Sequence, residues 1–194
     1  MRALRCAAVH LRLRLALLTV ATAVIAGCGG SDFKGAADVP AKYATYRGDG
    51  VTIAYPKGWQ VATRKDSDGG SSVRITPKKT TPTPYGVILL SASPDAEKRF
   101  ANNVKGRRAV LKTVADAKID SDEKVDVPGT KEAHRLTATA PSRAGTDPVE
   151  VKSDSLDLLR DNGDTLTVVA AAPQRKGDDD LDPKAVVDSL RLSG

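Results

Sequence analysis

Three kinds of side chain in this sequence have the reactivity for chemistry: a thiol at Cys28, a histidine at His134, and acids at Asp154, Asp157, Asp164 and the run Asp178-Asp179-Asp180 with Asp182. Nucleophilic catalysis needs a serine or cysteine activated by a neighbouring base. His134 stands between Ala133 and Arg135 at the expected start of a strand, with no Gly-x-Ser-x-Gly elbow anywhere in the chain. It therefore reads as a surface or strand-end histidine. One late histidine without a second thiol does not make a zinc site. The acidic run lacks the spaced acids and glycine of a calcium loop, and reads as a solvated loop favouring the helix that follows. No metal and no cofactor is expected. A carboxylate pair drawn from Asp154, Asp157 and Asp164 is the one route to hydrolysis that spacing leaves open, because such pairs have no fixed separation in sequence.

Cys28 has a far more specific setting. Arg2, Arg5, Arg12 and Arg14 form a basic start without an acid, Leu15 to Ile25 is an apolar run of signal-peptide length, and Ile25-Ala26-Gly27 places two small residues directly before the cysteine. The run is short for a membrane span. Basic start, apolar core, small residues and cysteine in this register resemble the bacterial lipobox. That resemblance implies cleavage between Gly27 and Cys28 and attachment of diacylglycerol to the Cys28 sulfur, with fatty acid such as palmitate holding the chain at the extracytoplasmic face of the cell membrane.

Removal of residues 1–27 changes what the composition means. The formal net charge of +6 falls to +2 once the four leader arginines are gone, so the basic character is mostly that of the leader. A nucleic-acid partner is not expected. Cys6 leaves with the leader and Cys28 is consumed as the anchor, so stability must come from a packed core without disulfides. Residues 28–40 read as a flexible tether and 41–194 as a single domain.

The elements that must position any site follow from periodicity. Alternating or apolar runs at 51–55, 59–62, 72–76 and 87–90 read as strands, separated by turns such as Pro56-Lys57-Gly58 and the loop 66–70. Further strands are expected at 124–127, 133–140, 149–160 and 165–172. Asn162-Gly163 is expected to make a tight hairpin, pairing either Leu159 with Leu166 or Leu158 with Val168. Ser93-Pro94-Asp95 reads as a helix start, followed by a stripe of Ala96, Phe100, Val104, Leu111, Val114 and Ala115 with a break possible at Gly106. A second helix is expected from Asp182-Pro183, carrying Val186, Val187 and Leu190. Because Val87 to Leu90 and Val168 to Ala172 are apolar at consecutive positions, both faces of those strands are expected to be covered.

The segment Tyr46-Arg47-Gly48-Asp49-Gly50-Val51-Thr52-Ile53-Ala54-Tyr55-Pro56-Lys57-Gly58-Trp59, with a long mid-chain helix and a terminal Asp188-Ser189-Leu190-Arg191-Leu192, resembles the PsbP-like fold. That fold includes the PsbP subunit of photosystem II, a yeast Ran-binding import factor and the Lpq-type lipoproteins of actinobacteria, which are most similar in layout. The resemblance covers about Tyr43 to Leu192. It implies an α+β single domain, an antiparallel sheet flanked by helices on both faces as an α/β/α sandwich, and binding or accessory roles without catalysis.

The function expected is therefore that of a non-enzymatic, membrane-anchored envelope module for a protein, lipid or glycolipid partner. A carboxylate-dependent hydrolase and a structural subunit of an envelope complex are the alternatives. Tyr85, in the proline-rich connection, and Trp59 are the expected ligand contacts. Arg47-Gly48-Asp49 reads as a turn, and the basic pairs Lys78-Lys79 and Arg107-Arg108 as solvated surface.

Overall fold

The computed structural model of the chain describes residues 31–32, 39–80, 85–142, 148–175 and 181–193. The leader with Gly27 and Cys28, most of the tether, and Asp178-Asp179-Asp180 lie outside the described residues.

The polypeptide runs β1 (Ser31–Asp32), β2 (Tyr43–Gly48), β3 (Val51–Pro56), β4 (Gln60–Lys65), β5 (Ser71–Thr76), β6 (Val87–Ser93), α1 (Glu97–Thr113), β7 (Lys118–Asp126), β8 (Thr130–Ser142), β9 (Val149–Arg160), β10 (Thr165–Pro173), α2 (Pro183–Asp188) and β11 (Arg191–Leu192). Seven antiparallel strands form the large sheet in the order β7-β8-β9-β10-β6-β5-β4, and β1 adds parallel to β7 at one edge. The small sheet is β11-β3-β2. Its hairpin turns at Asp49-Gly50, both with positive φ (52° and 71°), the backbone of a two-residue turn matched to strand twist. Arg47-Gly48-Asp49 is thus part of hairpin geometry. At Pro56-Lys57-Gly58 the chain turns again, with Gly58 at φ 85° and the Trp59 N–H donating to Pro56 O.

The two sheets pack face to face. Even-numbered β9 and β10 side chains, Leu156, Leu158, Leu166 and Val168, meet Ile88, Leu90, Val73 and Ile75 from the same face and Val51 and Ile53 from the small sheet. Val186, Val187 and Leu190 close this layer, all essentially inaccessible. Asp182 caps α2 by accepting from the Lys184 N–H at 3.0 Å, with Pro183 at the first helical position, as the sequence predicts.

The expectation of an antiparallel sheet flanked by helices on both faces is overturned. The molecule is mostly strand, and the layer over the inner face is a second sheet helped by one short helix. Among the described residues the opposite face is covered by α1, which buries Phe100 and Val104 against Leu159 and does not extend over Leu89 of β6. Consecutive apolar residues are misleading here: Leu89 points outward and is 40% exposed, while Val87, Val169 and Ala171 are half-buried. Hydrophobic character in a strand does not by itself require a cover.

Four local features also differ from the sequence reading. β6 extends through Ser93 and Asp95 takes a positive φ of 47°, so α1 starts at Glu97 with Ala96 as a cap residue that makes no side-chain hydrogen bond. The helix passes Gly106 unbroken, and a Cβ there would meet nothing within 4 Å. The β9–β10 hairpin pairs Leu158 with Leu166 and Leu159 with Thr165, a third register. Its turn uses Gly163 alone at φ 90°, following Asp161 and Asn162, the form of a three-residue loop ending in a left-handed glycine. The first six of the nine residues of β7, Lys-Ile-Asp-Ser-Asp-Glu, are strand despite their polarity because they form an exposed edge.

Candidate functional site

β9 carries acids on both of its faces. Asp154 shares a face with Leu156 and Leu158 and therefore points into the layer between the sheets. Asp157 shares the other face with Leu159 and points towards α1. Both are almost completely buried. A buried carboxylate is costly unless a cation and hydrogen bonds satisfy it, so each must have found a partner.

For Asp154 the partner is Arg135, one strand away on β8. Arg135 Nε donates to Asp154 Oδ1 at 3.0 Å and Nη2 donates to Oδ2, a two-pronged match of planar groups. Its third nitrogen reaches Asp188 on α2 at 2.8 Å, and Asp188 also pairs with Lys184 one turn earlier. Burial pushes the Asp154 carboxyl above the usual aspartate range, and the hydrogen bonds and charge of Arg135 offset that only in part. Burial also works against the Arg135 charge, but Asp154 and Asp188 more than compensate and hold the guanidinium firmly protonated.

Beside this network the small sheet ends and the large sheet continues, leaving a recess of about 340 Å³ over β7, β8 and β9. Its floor is the cross-strand row Ser121–Thr137–Asp154, in which the Ser121 and Thr137 hydroxyls are 2.8 Å apart. Lys152, Lys184 and Glu123 complete its polar wall. Asp120 also lines it, because the β7–β8 register slips between Ile119 and Ser121 and the extra residue is turned towards Thr139, whose hydroxyl donates to it at 2.9 Å. Acids, cations and hydroxyls thus converge on one polar hollow braced by a buried ion pair. Such a surface can recognise a polar or mixed-charge group by complementary hydrogen bonds.

On the other face, Asp157 is held by Arg107 of α1 at 2.7 Å and by the Thr167 hydroxyl. His134 lies within β8, its ring centroid 6.2 Å from that of Phe100, and its Nε2 donates to Glu132 at 3.1 Å. That hydrogen bond holds the Glu132 carboxyl below its usual range, against the opposing effect of burial.

The residues singled out from sequence are dispersed. Asp154 lies in the recess, Asp157 and His134 lie on the opposite face, and Asp164 sits at the β9–β10 turn accepting from Asn162. The three aspartates are not brought together. Trp59 packs half-buried against the core, close enough to Gly86 that a Cβ there would sit 2.7 Å from the indole. Tyr85 accepts a hydrogen bond from Arg74 at 2.6 Å. Neither ring lines the recess. Lys78 and Lys79 are exposed, whereas Arg107 and Arg108 are each ion-paired, to Asp157 and Asp122. Sequence reasoning missed Arg135, Lys184 and Asp188. The available signal was an acid inside an apolar strand, which demands a cation nearby, but sequence does not say which.

No family model matches the chain, and no curated protein matches it. Among solved structures, a Pseudomonas aeruginosa protein of unknown function, PA94, aligns over 68% of this chain and 83% of its own at 13% identity, with a TM-score of 0.33. No helix among the described residues is long and apolar enough to cross a membrane.

Proposed function

We propose that this chain is an exported lipoprotein, cut before Cys28 and held by lipid on that cysteine at the extracytoplasmic face of the cell membrane. Its domain acts there as a non-enzymatic binding or accessory module. The observation that carries this reading is Ile25-Ala26-Gly27-Cys28 directly behind a basic start and an apolar run of signal length. The recess at Arg135 and Asp154 supports the binding half, because Arg135 with Asp154 and Ser121 with Thr137 are held by one another before any ligand arrives, and ordering them then costs little. Its chemistry suits a polar protein segment or the headgroup of a glycolipid.

The test has two readouts on protein extracted from membranes. Intact mass is expected to start at Cys28 and to carry a diacylglycerol, and Cys28→Ala is expected to abolish both. A chain retaining Met1, or a Cys28→Ala protein processed and retained as before, refutes the anchoring. Immobilised full-length protein is then offered detergent-solubilised envelope. A component retained by the wild type and lost with Lys184→Glu supports the recess, whereas equal retention by both refutes it.

A further inference from the structure

We infer that the α1 flank carrying Lys98, Lys105 and Lys112 is a docking surface for an anionic lipid bilayer. This rests on the lipid anchor proposed at Cys28, and it assigns the face of the domain that the anchor presses against the membrane.

α1 holds six basic residues and one acid, in a chain whose net charge after the leader is only +2. Two of the six are committed: Arg107 to Asp157, and Arg108 to Asp122 on β7. The single acid, Glu97, is neutralised by Lys131. Lys98, Arg99, Lys105 and Lys112 are exposed and make no ion pair among the described residues.

Lys98, Lys105 and Lys112 are spaced by seven. At 3.6 residues per turn, seven residues fall about 20° short of two turns, so the three lysines form one nearly straight stripe about 21 Å long. Between them the same flank holds Ala101, Asn102 and Ala109, all short and exposed, so that the ammonium groups stand proud. By the same geometry the stripe lies about 60° around the helix from Arg108 and well away from the buried Phe100 and Val104. The side of Arg108 is the side of β7, since Arg108 Nη2 donates to Asp122 at 2.6 Å.

The location of the anchor supplies the occupant. Beyond β7 lies β1, with Ser31 level with Val125 and Asp32 with Asp126. Because β1 runs parallel to β7, it enters from the Asp122 side. Ser31 is three residues after Cys28, so the cysteine Cα lies within about 11 Å of it by chain length alone. The chain between Cys28 and Ser31 is therefore too short to carry an anchor far from the β7 edge, the edge on the side of Arg108. A protein tethered there has its basic flank held close to the headgroups, where each lysine near an anionic surface gains on the order of tenfold or less in partitioning.

The mature lipidated protein, purified from membranes with Ala109→Cys labelled by an environment-sensitive fluorophore, is reconstituted into vesicles of phosphatidylcholine alone or with phosphatidylglycerol. Shielding of the label is expected only with phosphatidylglycerol, and is expected to disappear in the Lys98→Gln/Lys105→Gln/Lys112→Gln variant and at high salt. A label introduced by Asp68→Cys, on the β4–β5 turn at the opposite edge, is expected to stay exposed throughout. Equal exposure of the α1 label in both vesicles, or shielding unchanged by the triple variant, overturns the proposal. Shielding in native membranes but not in lipid vesicles overturns it in favour of an acidic protein. If intact mass finds no lipid on Cys28, the anchoring reading fails separately. Sedimentation of that unlipidated protein with the same vesicles then decides the docking surface, with a loss of partitioning on the order of a hundredfold expected for the triple variant.

Discussion

The Ser189 hydroxyl stands where a strand partner for Ala54 would be. β11 pairs with β3 only at Thr52 and Val51, and the next N–H along that edge, of Ala54, donates to Ser189 Oγ at 2.9 Å. The same hydroxyl donates to Val186 O at 2.6 Å, so one buried oxygen closes the end of α2 and completes the edge of the small sheet 135 residues away in sequence. Ser189→Ala leaves a buried amide without an acceptor. A loss of about 1–3 kcal/mol is expected in urea unfolding, with the denaturant slope unchanged. A loss below about 0.5 kcal/mol means that water reaches the amide and the cross-link is not structural.

Arg135 and Asp154 make a harder test of how the recess is held together. Removing the cation alone, in Arg135→Met, strands a buried carboxylate and is expected to cost about 3–5 kcal/mol. Replacing both, in Arg135→Met/Asp154→Leu, removes the unpaired charge together with its partner. Most of the stability is then expected to return, because two packed apolar groups offset a desolvated ion pair. Equilibrium unfolding of the four proteins of this cycle gives the coupling directly. If the two single losses simply add, the pair does not brace the recess.

Ser189 and Arg135 mark how far sequence reading reaches. Val51, Ile53, Leu156, Leu158, Val186 and Val187 are buried as their periodicity predicts, since a period of two or of 3.6 is written directly into residue order. The Asp182-Pro183 cap is equally local. Ser189 offers no such clue, as its partner is 135 residues distant. Asp154 and Asp157 announce only that each needs a cation, and Arg135 and Arg107 are selected by strand register and helix placement. The layering is illegible for the same reason: whether Leu89 is covered depends on where α1 lies, and α1 is placed by Phe100, Val104 and Arg107 over β9 rather than over β6.

Two carboxylates on opposite faces should titrate in opposite senses, which gives the pH dependence of stability a separable signature. The folded pKa of Asp154 is raised above the unfolded value of about 3.9, so the native state binds the proton more tightly. Its contribution is fully present below about pH 3.9 and is lost as pH rises through the higher folded value. Glu132 is lowered below about 4.3 by its hydrogen bond from His134, so its contribution is present above that pH and is lost as pH falls through the folded value. Stability relative to Asp154→Asn is therefore expected to decline as pH increases above about 3.9. Stability relative to Glu132→Gln is expected to increase with pH below about 4.3. Glu132 is more than one-third exposed, so added salt should flatten its slope, while the slope of Asp154, 2% exposed, should persist. Urea midpoints of the three proteins between about pH 3 and pH 6 measure both. Slopes of the same sign would mean that Arg135, rather than burial, dominates at Asp154, and that the recess is floored by a stabilised carboxylate instead of a reluctant one.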